Sequence, residues 1–538
     1  IPPVLDAVQM GSVSALRCHP CRHLLVLGAQ EGAMPGYSGA KGVLTDQERV
    51  ALRAMGLTLT GGAMEGIQEE FAEIYGVFCG AAESLRVYCS AEQPSYLFTR
   101  LGEMAGGVKT VSPTMEFACA DRRQAGAWLA RWGQEALAKD LDAEEGYRDT
   151  RARADYRLGG LEKETVKTLY GQRLELSASQ VDTQKDCRLQ YFLKYGLRAK
   201  ERKAAEVDPA EFGTYVHAVL EQTGRAVMDR GGFHGVSLED TLALARGFAD
   251  AYARERFRDM DSQRLTYLFQ RNNRELDMIV EELWKELNAA AFQPVGFEVA
   301  FGKGGQMPAI AIPNSAMPAA LRGFVDRVDL WEDATGRFLR VTDYKTGQKK
   351  FDYCDISQGI GLQMLLYLFA LGHGGGDLFG EGLRPGGVEY FPARAPYLKA
   401  DAPLDPAEAE EERVKAFSRS GLFLEDRRVL GAMEPEGLGD RLPVVEKKDG
   451  SLTGSLATSE QFRLLEGYVF HLLADMVSEI ASGSVSPNPY SRGTAHDACR
   501  FCPYAPVCHP EKEAQRRKYR ALKAQEFWEQ VEKEETHG

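Results

Sequence analysis

The sequence has no apolar run that could cross a membrane. Of its 538 residues 44% are hydrophobic and 9% aromatic, but no stretch approaches the ~20 uninterrupted apolar residues that a bilayer span needs. The first residues, IPPVLDAVQM, lack an initiator methionine, a basic segment and a small-residue cleavage site. We therefore expect no membrane partner and no secretory leader, and the start suggests a fragment of a longer chain.

A phosphate loop is also missing. The pattern G-x-x-x-x-G-K-[ST] occurs nowhere in the chain, and this loop is what cradles the phosphates in ATP-hydrolysing domains of that type. We therefore expect no independent ATPase activity.

Cysteine and charge set two further limits. The ten cysteines are scattered rather than evenly paired, which favours thiols or metal ligands over a disulfide framework and predicts a reducing, cytoplasmic location. The net charge of −13 excludes a general polycation, but a groove lined with Lys and Arg can bind nucleic acid within an acidic protein. The length predicts roughly three or four folding units.

Hydrophobic patterning divides the chain into an α/β start, a helical connector and a helix-rich second unit. The start runs from a buried-type strand at 24–27 to a second strand at 84–91. In the second unit, Ser177 or Ser179 is predicted to cap the first helix. Long amphipathic helices then continue to about residue 291. They precede strands at 296–301, 321–331, 337–345 and 387–391, with a helix at 357–372 before the last strand. Residues 372–387 are predicted to form a flexible glycine-rich loop, and 403–456 an acidic, turn-rich segment.

The strands at 321–331 and 337–345 form a predicted hairpin. Closing it around residues 333–336 pairs Glu332 with Arg337, so antiparallel partners have numbers that sum to 669. In that register Asp326 lies opposite Asp343, and Lys345 shares their face because side chains alternate along a strand. Two facing carboxylates repel each other unless a cation lies between them.

This face is therefore predicted to bind a divalent metal. Carboxylates with room for water suit Mg²⁺ or Mn²⁺, which can bind a phosphodiester oxygen and lower the pKa of a bound water. The Lys345 ammonium would position that water or stabilise developing charge. The alternative is exposed ion pairs, Asp326 with Arg327 or Arg322 and Asp343 with Lys345, each worth about 0 to 1 kcal/mol.

Further polar residues accompany the hairpin. His217 lies on a helix with Glu221 one turn later, Glu298 lies on the preceding strand, and Gln363 and Tyr367 share one helix face. In order, the elements are G-T-x-x-H (213–217), Glu298, G-F-V-D (323–326), D-Y-K (343–345) and Q-x-x-x-Y (363–367). This series resembles the RecB-type branch of the PD-(D/E)xK nucleases.

The resemblance implies a role for each residue and a reaction. Asp326 and Asp343 would hold the metal, His217 would add a ligand and Lys345 would be the catalytic lysine. Gln363 and Tyr367 would support the site or contact DNA, and Glu298 completes the set. The implied reaction is hydrolysis of a DNA phosphodiester by metal-activated water, without a covalent intermediate.

Three cysteines lie close together in ACRFCPYAPVC: Cys499, Cys502 and Cys508. Three thiols of this spacing need a fourth ligand, and Cys187 opens the same unit. Zinc held by four cysteines fits these ligand types as well as an iron-sulfur cluster does. One leading and three trailing cysteines resemble the iron-sulfur nucleases of the RecB branch, which implies a [4Fe-4S] cluster with a structural role.

The first hundred residues carry a second resemblance. VLGAQEGAMP (26–35) and QEEFAEIYGVFCGAAESLRVYCSA (68–91) are similar to the last RecA-like lobe of UvrD-type helicases. Such lobes carry an arginine before the final strand that contacts ATP phosphates, but no arginine precedes Arg86 in the corresponding stretch here. The lobe is therefore expected to be degenerate.

Together these features resemble the carboxy-terminal half of the AddB family. The expected fold is α/β: a degenerate RecA-like lobe at 1–110, a helical connector at 111–173, and a helix-rich PD-(D/E)xK domain with a small central mixed sheet at 174–515. A basic-to-acidic helical tail follows at 516–538. The resemblance implies DNA and an AddA-like helicase-nuclease subunit as partners, in resection of double-strand breaks. Two alternatives are a catalytically idle DNA-binding scaffold and a stand-alone iron-sulfur nuclease of the CRISPR-adaptation type.

Overall fold

The computed structural model divides into two compact units, Ile1–Tyr156 and Arg157–Gly538. It describes residues 8–16, 20–36, 44–59, 62–90, 93–109, 111, 121, 124–125, 159–200, 209–256, 263–347, 349–394, 405–493, 495–508 and 516–535. Most of the predicted connector at 111–173 lies outside these residues. Within the described ranges, no helix combines the length and apolarity that a membrane span demands.

The first unit contains a parallel pair of strands with helices around it. Strand β1 (Cys21–Leu27) pairs with β2 (Ala81–Tyr88), so both predicted strands are present. The described helices are α1 (Val13–Leu16), α2 (Asp46–Ala54), α3 (Ala63–Cys79) and α4 (Tyr96–Met104). A small core includes Val26, Ala29, Met34 and Ile74.

The second unit opens with helices that frame the later strands. They are α5 (Lys163–Tyr170), α6 (Ala178–Asp186), α7 (Arg188–Tyr191), a π-helix (Phe192–Gly196), α8 (Pro209–Met228), α9 (Leu238–Arg256) and α10 (Gln263–Ala289), with β3 (Leu174–Leu176) between α5 and α6. Ser177 is the N-cap of α6. Its side chain accepts a hydrogen bond from the Gln180 N–H, and the Gln180 side chain accepts one from the Ser177 N–H. This capping box fixes the predicted helix start at Ser177 rather than Ser179.

A six-stranded mixed sheet forms the centre of the second unit. Its strands are β4 (Gln293–Phe301), β7 (Gly323–Asp333), β8 (Gly336–Lys345), β9 (Leu383–Pro392), β10 (Ser420–Leu424) and β13 (Leu456–Ala457), in the spatial order β13-β10-β9-β8-β7-β4. The β8–β9 and β10–β13 pairs are parallel and the other pairs are antiparallel. The small central mixed sheet predicted from sequence is confirmed.

Helices pack against this sheet and bury it. Helices α11 (Tyr353–Ser357), α12 (Gln363–Gly374) and α13 (Gly376–Phe379) follow β8, and α12 contacts β8 and β9. Helix α8 contacts β4 and β7 and packs against α9, which in turn packs against α10. Each group of helices has its own hydrophobic core.

The remaining elements complete the second unit. They are β5 (Ile310–Ala311), β6 (Ala319–Leu321), α14 (Pro406–Ala416), α15 (Arg427–Met433), β11 (Val444–Glu446), β12 (Leu452–Gly454), α16 (Ser459–Ala481), β14 (Tyr490–Ser491), α17 (Ala505–Cys508), β15 (Arg517–Lys518) and α18 (Ala524–Glu535). In the predicted tail, β15 pairs with β14 and α18 packs against α16.

The predicted loop at 372–387 is wrong, and the predicted turn-rich segment at 403–456 contains regular structure that the sequence did not indicate. Residues 372–387 contain α13 and the start of β9, and the described part of 403–456 contains α14, β10, α15, β11 and β12. Strand β10 even belongs to the central sheet, between β9 and β13. Its apolar run is only a few residues long, and glycine and acidic neighbours concealed it. A short strand buried by partners from elsewhere in the chain has too weak a local signal to be recognised.

Candidate active site

The β7–β8 hairpin has the predicted register. Its pairs run from Asp333 with Gly336 to Arg327 with Thr342, each summing to 669. The backbone ladder ends there, one step before Asp326 and Asp343. In place of the next backbone bond, the Tyr344 N–H donates to Asp326 Oδ2 at 2.9 Å. The end of the ladder thus holds the Asp326 carboxylate beside Asp343.

Asp343 is bound by two residues of the predicted series. Its Oδ2 lies 2.6 Å from Lys345 Nζ, and its Oδ1 accepts from Gln363 Nε2 at 2.9 Å. Gln363 also accepts from Lys345 Nζ at 3.3 Å and donates to the Tyr367 hydroxyl at 3.1 Å. A Cβ on Gly323 would lie 3.1 Å from the Tyr367 ring, so the glycine leaves room for that side chain. The structure brings the D-Y-K and Q-x-x-x-Y elements together.

His217 approaches the carboxylates from helix α8. Its Nε2 lies 2.8 Å from the Tyr344 carbonyl oxygen and its Nδ1 lies 3.3 Å from Asp326 Oδ2. Because a carbonyl can only accept, Nε2 carries the proton in the neutral ring, and Nδ1 then presents a lone pair. Burial outweighs the opposing effects of Asp343 and Tyr344, so it lowers the pKa of His217 and favours this neutral form.

Glu298 lies on β4 at the position that faces Asp326. The β4–β7 pairs on either side are Phe297 with Arg327 and Val299 with Val325. Glu298 has a φ of 46°, in the left-handed region that residues with side chains rarely adopt. This backbone kink turns its carboxylate inward: ligand atoms of His217, Glu298 and Asp326 lie within 4.8 Å of one another.

The donor set suits a divalent cation. Burial, followed by the charge of Asp343, raises the pKa of Asp326 well above its usual value. Burial also raises the pKa of Asp343, and burial and then the charge of Glu221 raise that of Glu298. His217 Nδ1 and Asp326 Oδ2 also place two lone-pair atoms only 3.3 Å apart. A cation bound by these oxygen and nitrogen atoms would relieve both conflicts.

An open cleft gives access to this cluster. It has a volume of about 410 Å³ and is lined by Gly213, Thr214, His217, Ala218, Glu221 and Glu298. Two of the candidate metal ligands, His217 and Glu298, therefore lie at the wall of an open space. All seven residues predicted for the catalytic site lie in one neighbourhood.

The other face of the hairpin carries buried charges that sequence reasoning missed. The fully buried Arg327 contacts Asp329 at 2.9 Å and Glu286 at 3.0 Å, while Arg340 contacts the same two carboxylates at 2.7 and 2.8 Å. Glu389 lies 3.5 Å from Arg327. The alternative of exposed ion pairs is thus wrong for Arg327, which faces away from Asp326. The predicted pair of Asp343 with Lys345 does form, at 2.6 Å, but it is not an exposed pair because the Asp343 side chain is 1% exposed. The alternation of Arg327 and Asp329 opposite Arg340 was the available signal.

The four predicted cluster cysteines converge although one is distant in sequence. Cys187, Cys499, Cys502 and Cys508 line one small cavity together with Leu189, Gln190, Pro489, Ala498, Tyr504 and Ala505. Burial and then the other three thiols raise the pKa of Cys508 to about 11. Three thiols that together disfavour the ionisation of Cys508 fit a site in which a bound metal would supply the compensating charge. All the described cysteines are free thiols.

Two charged residues outside the predicted set lie at the edge of the site. Asp182 on α6 accepts from the Gly361 N–H at 2.8 Å, and Lys349 lies beside the same glycine. Lys349 follows Lys345 by four residues, and this spacing was the only feature of the sequence that could have indicated a place for Lys349 near the site. Nothing in the pattern indicated Asp182.

Sequence comparison identifies the group to which this site belongs. The profile of the PD-(D/E)XK nuclease superfamily matches residues 175–509, more than half of the chain. The chain belongs to the PD-(D/E)XK nuclease superfamily. The matched segment of this nuclease domain includes every predicted catalytic residue and all four converging cysteines.

Curated relatives extend the similarity over the remaining chain. The chain is 30% identical to the AddB subunit of the ATP-dependent helicase/deoxyribonuclease from Acetivibrio thermocellus, over 99% of this chain and 50% of the relative. It is 31% identical to the corresponding subunit from Desulforudis audaxviator, over 98% and 49%. The Moorella thermoacetica protein is also 31% identical, over 94% and 47%. This PD-(D/E)XK chain spans about half the length of these relatives, and the AddB resemblance drawn from its motifs is confirmed.

Proposed function

We propose that this chain is a metal-dependent deoxyribonuclease that hydrolyses phosphodiester bonds of one DNA strand. The observation that carries the proposal is the convergence of Asp326, Asp343 and Lys345 at the end of the hairpin. Two buried carboxylates with an ammonium beside them form an arrangement that binds a cation and a phosphate together. Superfamily membership supports the same reaction class.

In this proposal Asp326, Asp343 and His217 hold Mg²⁺ or Mn²⁺, and Glu298 completes the acidic wall. A divalent ion supplies an activated water and neutralises charge on the phosphate. Lys345 Nζ holds a proton beside Asp343 and stabilises negative charge that develops on the phosphate oxygens. His217 presents Nδ1 because its Nε2 proton is directed to Tyr344.

Gln363 and Tyr367 act as positioning residues. The Gln363 amide donates to Asp343 and accepts from Lys345, so it fixes both side chains relative to each other. Tyr367 accepts from the same amide and thereby fixes its orientation. Loss of such supporting hydrogen bonds typically costs about 10- to 100-fold in metal affinity or activity.

We further propose a [4Fe-4S] cluster on Cys187, Cys499, Cys502 and Cys508, with zinc as the alternative. Its role would be structural, because four thiolate bonds join segments about 300 residues apart and close the long intervening loop. The convergence of the four thiols on one cavity supports a metal site, and the iron-sulfur resemblance favours the cluster.

The wider assembly is also proposed from the relatives, whose names describe an ATP-dependent helicase/deoxyribonuclease subunit. On this basis the chain acts in the cytoplasm on one unwound strand during repair of double-strand breaks. An AddA-like partner would supply the ATP-driven motor. Residues 1–110, within the first unit, would be the degenerate RecA-like lobe, without ATPase activity of their own. The domain division at 110, 173 and 515 belongs to the same proposal.

Cleavage of a fluorescent single-stranded oligonucleotide with Mg²⁺ or Mn²⁺ tests the nuclease. Asp343→Asn should lower the rate by more than about 100-fold, because it removes a metal ligand. The exposed Asp377→Asn is the matched control and should cleave normally. Cleavage by Asp343→Asn at the wild-type rate would overturn the assignment. A wild-type chain that binds DNA without cleaving it would favour the idle scaffold.

A further inference from the structure

We propose that Lys349 binds a phosphate of the substrate strand next to the phosphate that is cleaved. This inference rests on the proposed nuclease function and deepens it, because it assigns a second cation to strand binding. Lys345 and Lys349 would then divide two tasks: Lys345 acts at the reacting phosphate, and Lys349 fixes the strand beside it.

Lys349 lies where the hairpin meets the helix that supports the site. A Cβ built on Gly361 would lie 3.7 Å from Lys349 Nζ. Gly361 belongs to the turn that precedes α12, and α12 begins at Gln363, the residue that holds Asp343. The Lys349 ammonium is therefore next to the turn that leads into Gln363, the positioning residue of the site.

The turn at Gly359 and Gly361 lies against the charged side chains of three residues: Asp182, Lys185 and Lys349. Gly361 has a φ of 71° and donates its N–H to Asp182 Oδ1 at 2.8 Å. Gly359 has a φ of 80°, and a Cβ there would lie 2.9 Å from Lys185 Cε. Both glycines adopt a backbone conformation that favours glycine. Because neither residue has a side chain, Lys185 can lie directly against the turn at Gly359 and Lys349 directly against it at Gly361.

Lys349 brings positive charge to a carboxylate at the edge of the site. Asp182 Oδ1 accepts from the Gly361 N–H at 2.8 Å, and the charge of Lys349 lowers the pKa of Asp182 against the dominant effect of burial. A phosphate between Lys349 and a metal ion held by the site's carboxylates would meet positive charge on both sides.

Lys349 is available to an anion, whereas Lys345 is already engaged. Lys345 Nζ lies 2.6 Å from Asp343 and 3.3 Å from Gln363. Lys349 is exposed, and within the residues that the structure describes it forms no hydrogen bond or ion pair. A lysine ammonium that has no hydrogen bond or ion pair among the described residues, beside the turn that leads into Gln363, is suited to a backbone phosphate contact.

The next residue provides a matched control. Lys350 is also exposed, lies in the same segment and carries the same charge. Of these two lysines, only Lys349 lies within 4 Å of a Cβ placed at Gly361. A general effect of net charge should therefore appear equally in Lys349→Ala and Lys350→Ala, and a specific contact only in the first.

Binding of a fluorescein-labelled single-stranded oligonucleotide, with Ca²⁺ in place of Mg²⁺, tests the contact. Lys349→Ala should raise Kd roughly tenfold, equivalent to about 1.4 kcal/mol. The slope of log K against log salt should become shallower by about 0.7, the value for one phosphate contact on a single strand. In cleavage assays the change should appear in KM more than in kcat, and Lys349→Arg should restore most of the binding.

The outcomes separate this inference from the nuclease proposal. Equal salt slopes for wild type, Lys349→Ala and Lys350→Ala would overturn the Lys349 contact while leaving the nuclease proposal intact. Failure of the wild-type chain to cleave would instead count against the nuclease. Lys349→Ala should unfold at the same urea concentration as the wild type, because the Lys349 side chain is exposed. A shifted midpoint together with an unchanged salt slope would assign Lys349 a structural role and overturn the contact.

Discussion

The backbone N–H of Tyr344 donates a 2.9 Å hydrogen bond to the Asp326 carboxylate. Tyr344 lies between Asp343 and Lys345 in the chain, so this bond joins the Asp326 carboxylate directly to the D-Y-K element. A side chain thus replaces the last backbone bond of the hairpin. The Asp326 carboxylate is consequently held beside Asp343 by the backbone at the end of the paired strands.

Asp326→Asn should separate stability from activity. The asparagine Oδ1 can still accept from Tyr344, but the repulsion between two buried carboxylates disappears. With metal chelated, we expect the free energy of unfolding to rise by about 0.5 to 2 kcal/mol, as for other strained active sites. Cleavage should be lost with Mg²⁺ present. Urea denaturation in EDTA checks the first expectation, and a marked loss of stability would contradict the repulsion.

Arg327→Met should destabilise the second unit strongly. The change leaves Asp329, Glu286 and Glu389 with one cation fewer in a dry environment, and removing one partner of a buried ion pair costs about 3 to 5 kcal/mol. Arg322→Met, at an exposed position near the same strand, is the control and should stay within about 0.5 kcal/mol. Equal denaturation midpoints for the two variants would show that the buried charges are dispensable.

Gly224→Ala should weaken the contact between α8 and β4. A Cβ at Gly224 would overlap the ring of Phe297, which is 4% exposed and has little room to move. We expect a cost of about 1 to 3 kcal/mol from overpacking, together with weaker metal binding because α8 carries His217. Gly247→Ala on α9 meets nothing within 4 Å. It should gain about 0.5 to 1 kcal/mol from helix propensity, and thermal unfolding of both variants measures the difference.

Cysteine substitution should reveal the metal at the second site. Anaerobically purified chain should contain about four irons and absorb visible light, as a four-thiolate cubane requires. Cys508→Ser should lose most of the iron and unfold more readily, whereas Cys79→Ser, at an exposed position, should retain it. Metal analysis and the absorption spectrum distinguish an iron-sulfur cluster from zinc. Stoichiometric zinc without visible absorbance would establish the zinc alternative.

Local sequence patterns were sufficient for the hairpin and for the residues at its end. The alternating strands and short polar turn predicted the register, because a slip of one residue would move every side chain to the opposite face. The spacing of Gln363 and Tyr367 predicted one helix face, and both reach the site. The cysteine run predicted a site that needed a distant fourth thiol, and Cys187 lies at the same cavity.

The sequence by itself thus determined the register of the hairpin and the chemistry of its carboxylate face. Tertiary structure alone decided the kink that turns Glu298 inward, the burial of Arg327 in a charge network, and the place of β10 in the central sheet. It also decided the position of Lys349 beside the turn before α12. The alternation of residue types along a strand or helix predicts which face a side chain occupies, because the local backbone geometry fixes that face. The groups that meet that face come from distant segments, and only packing of the whole unit brings them together.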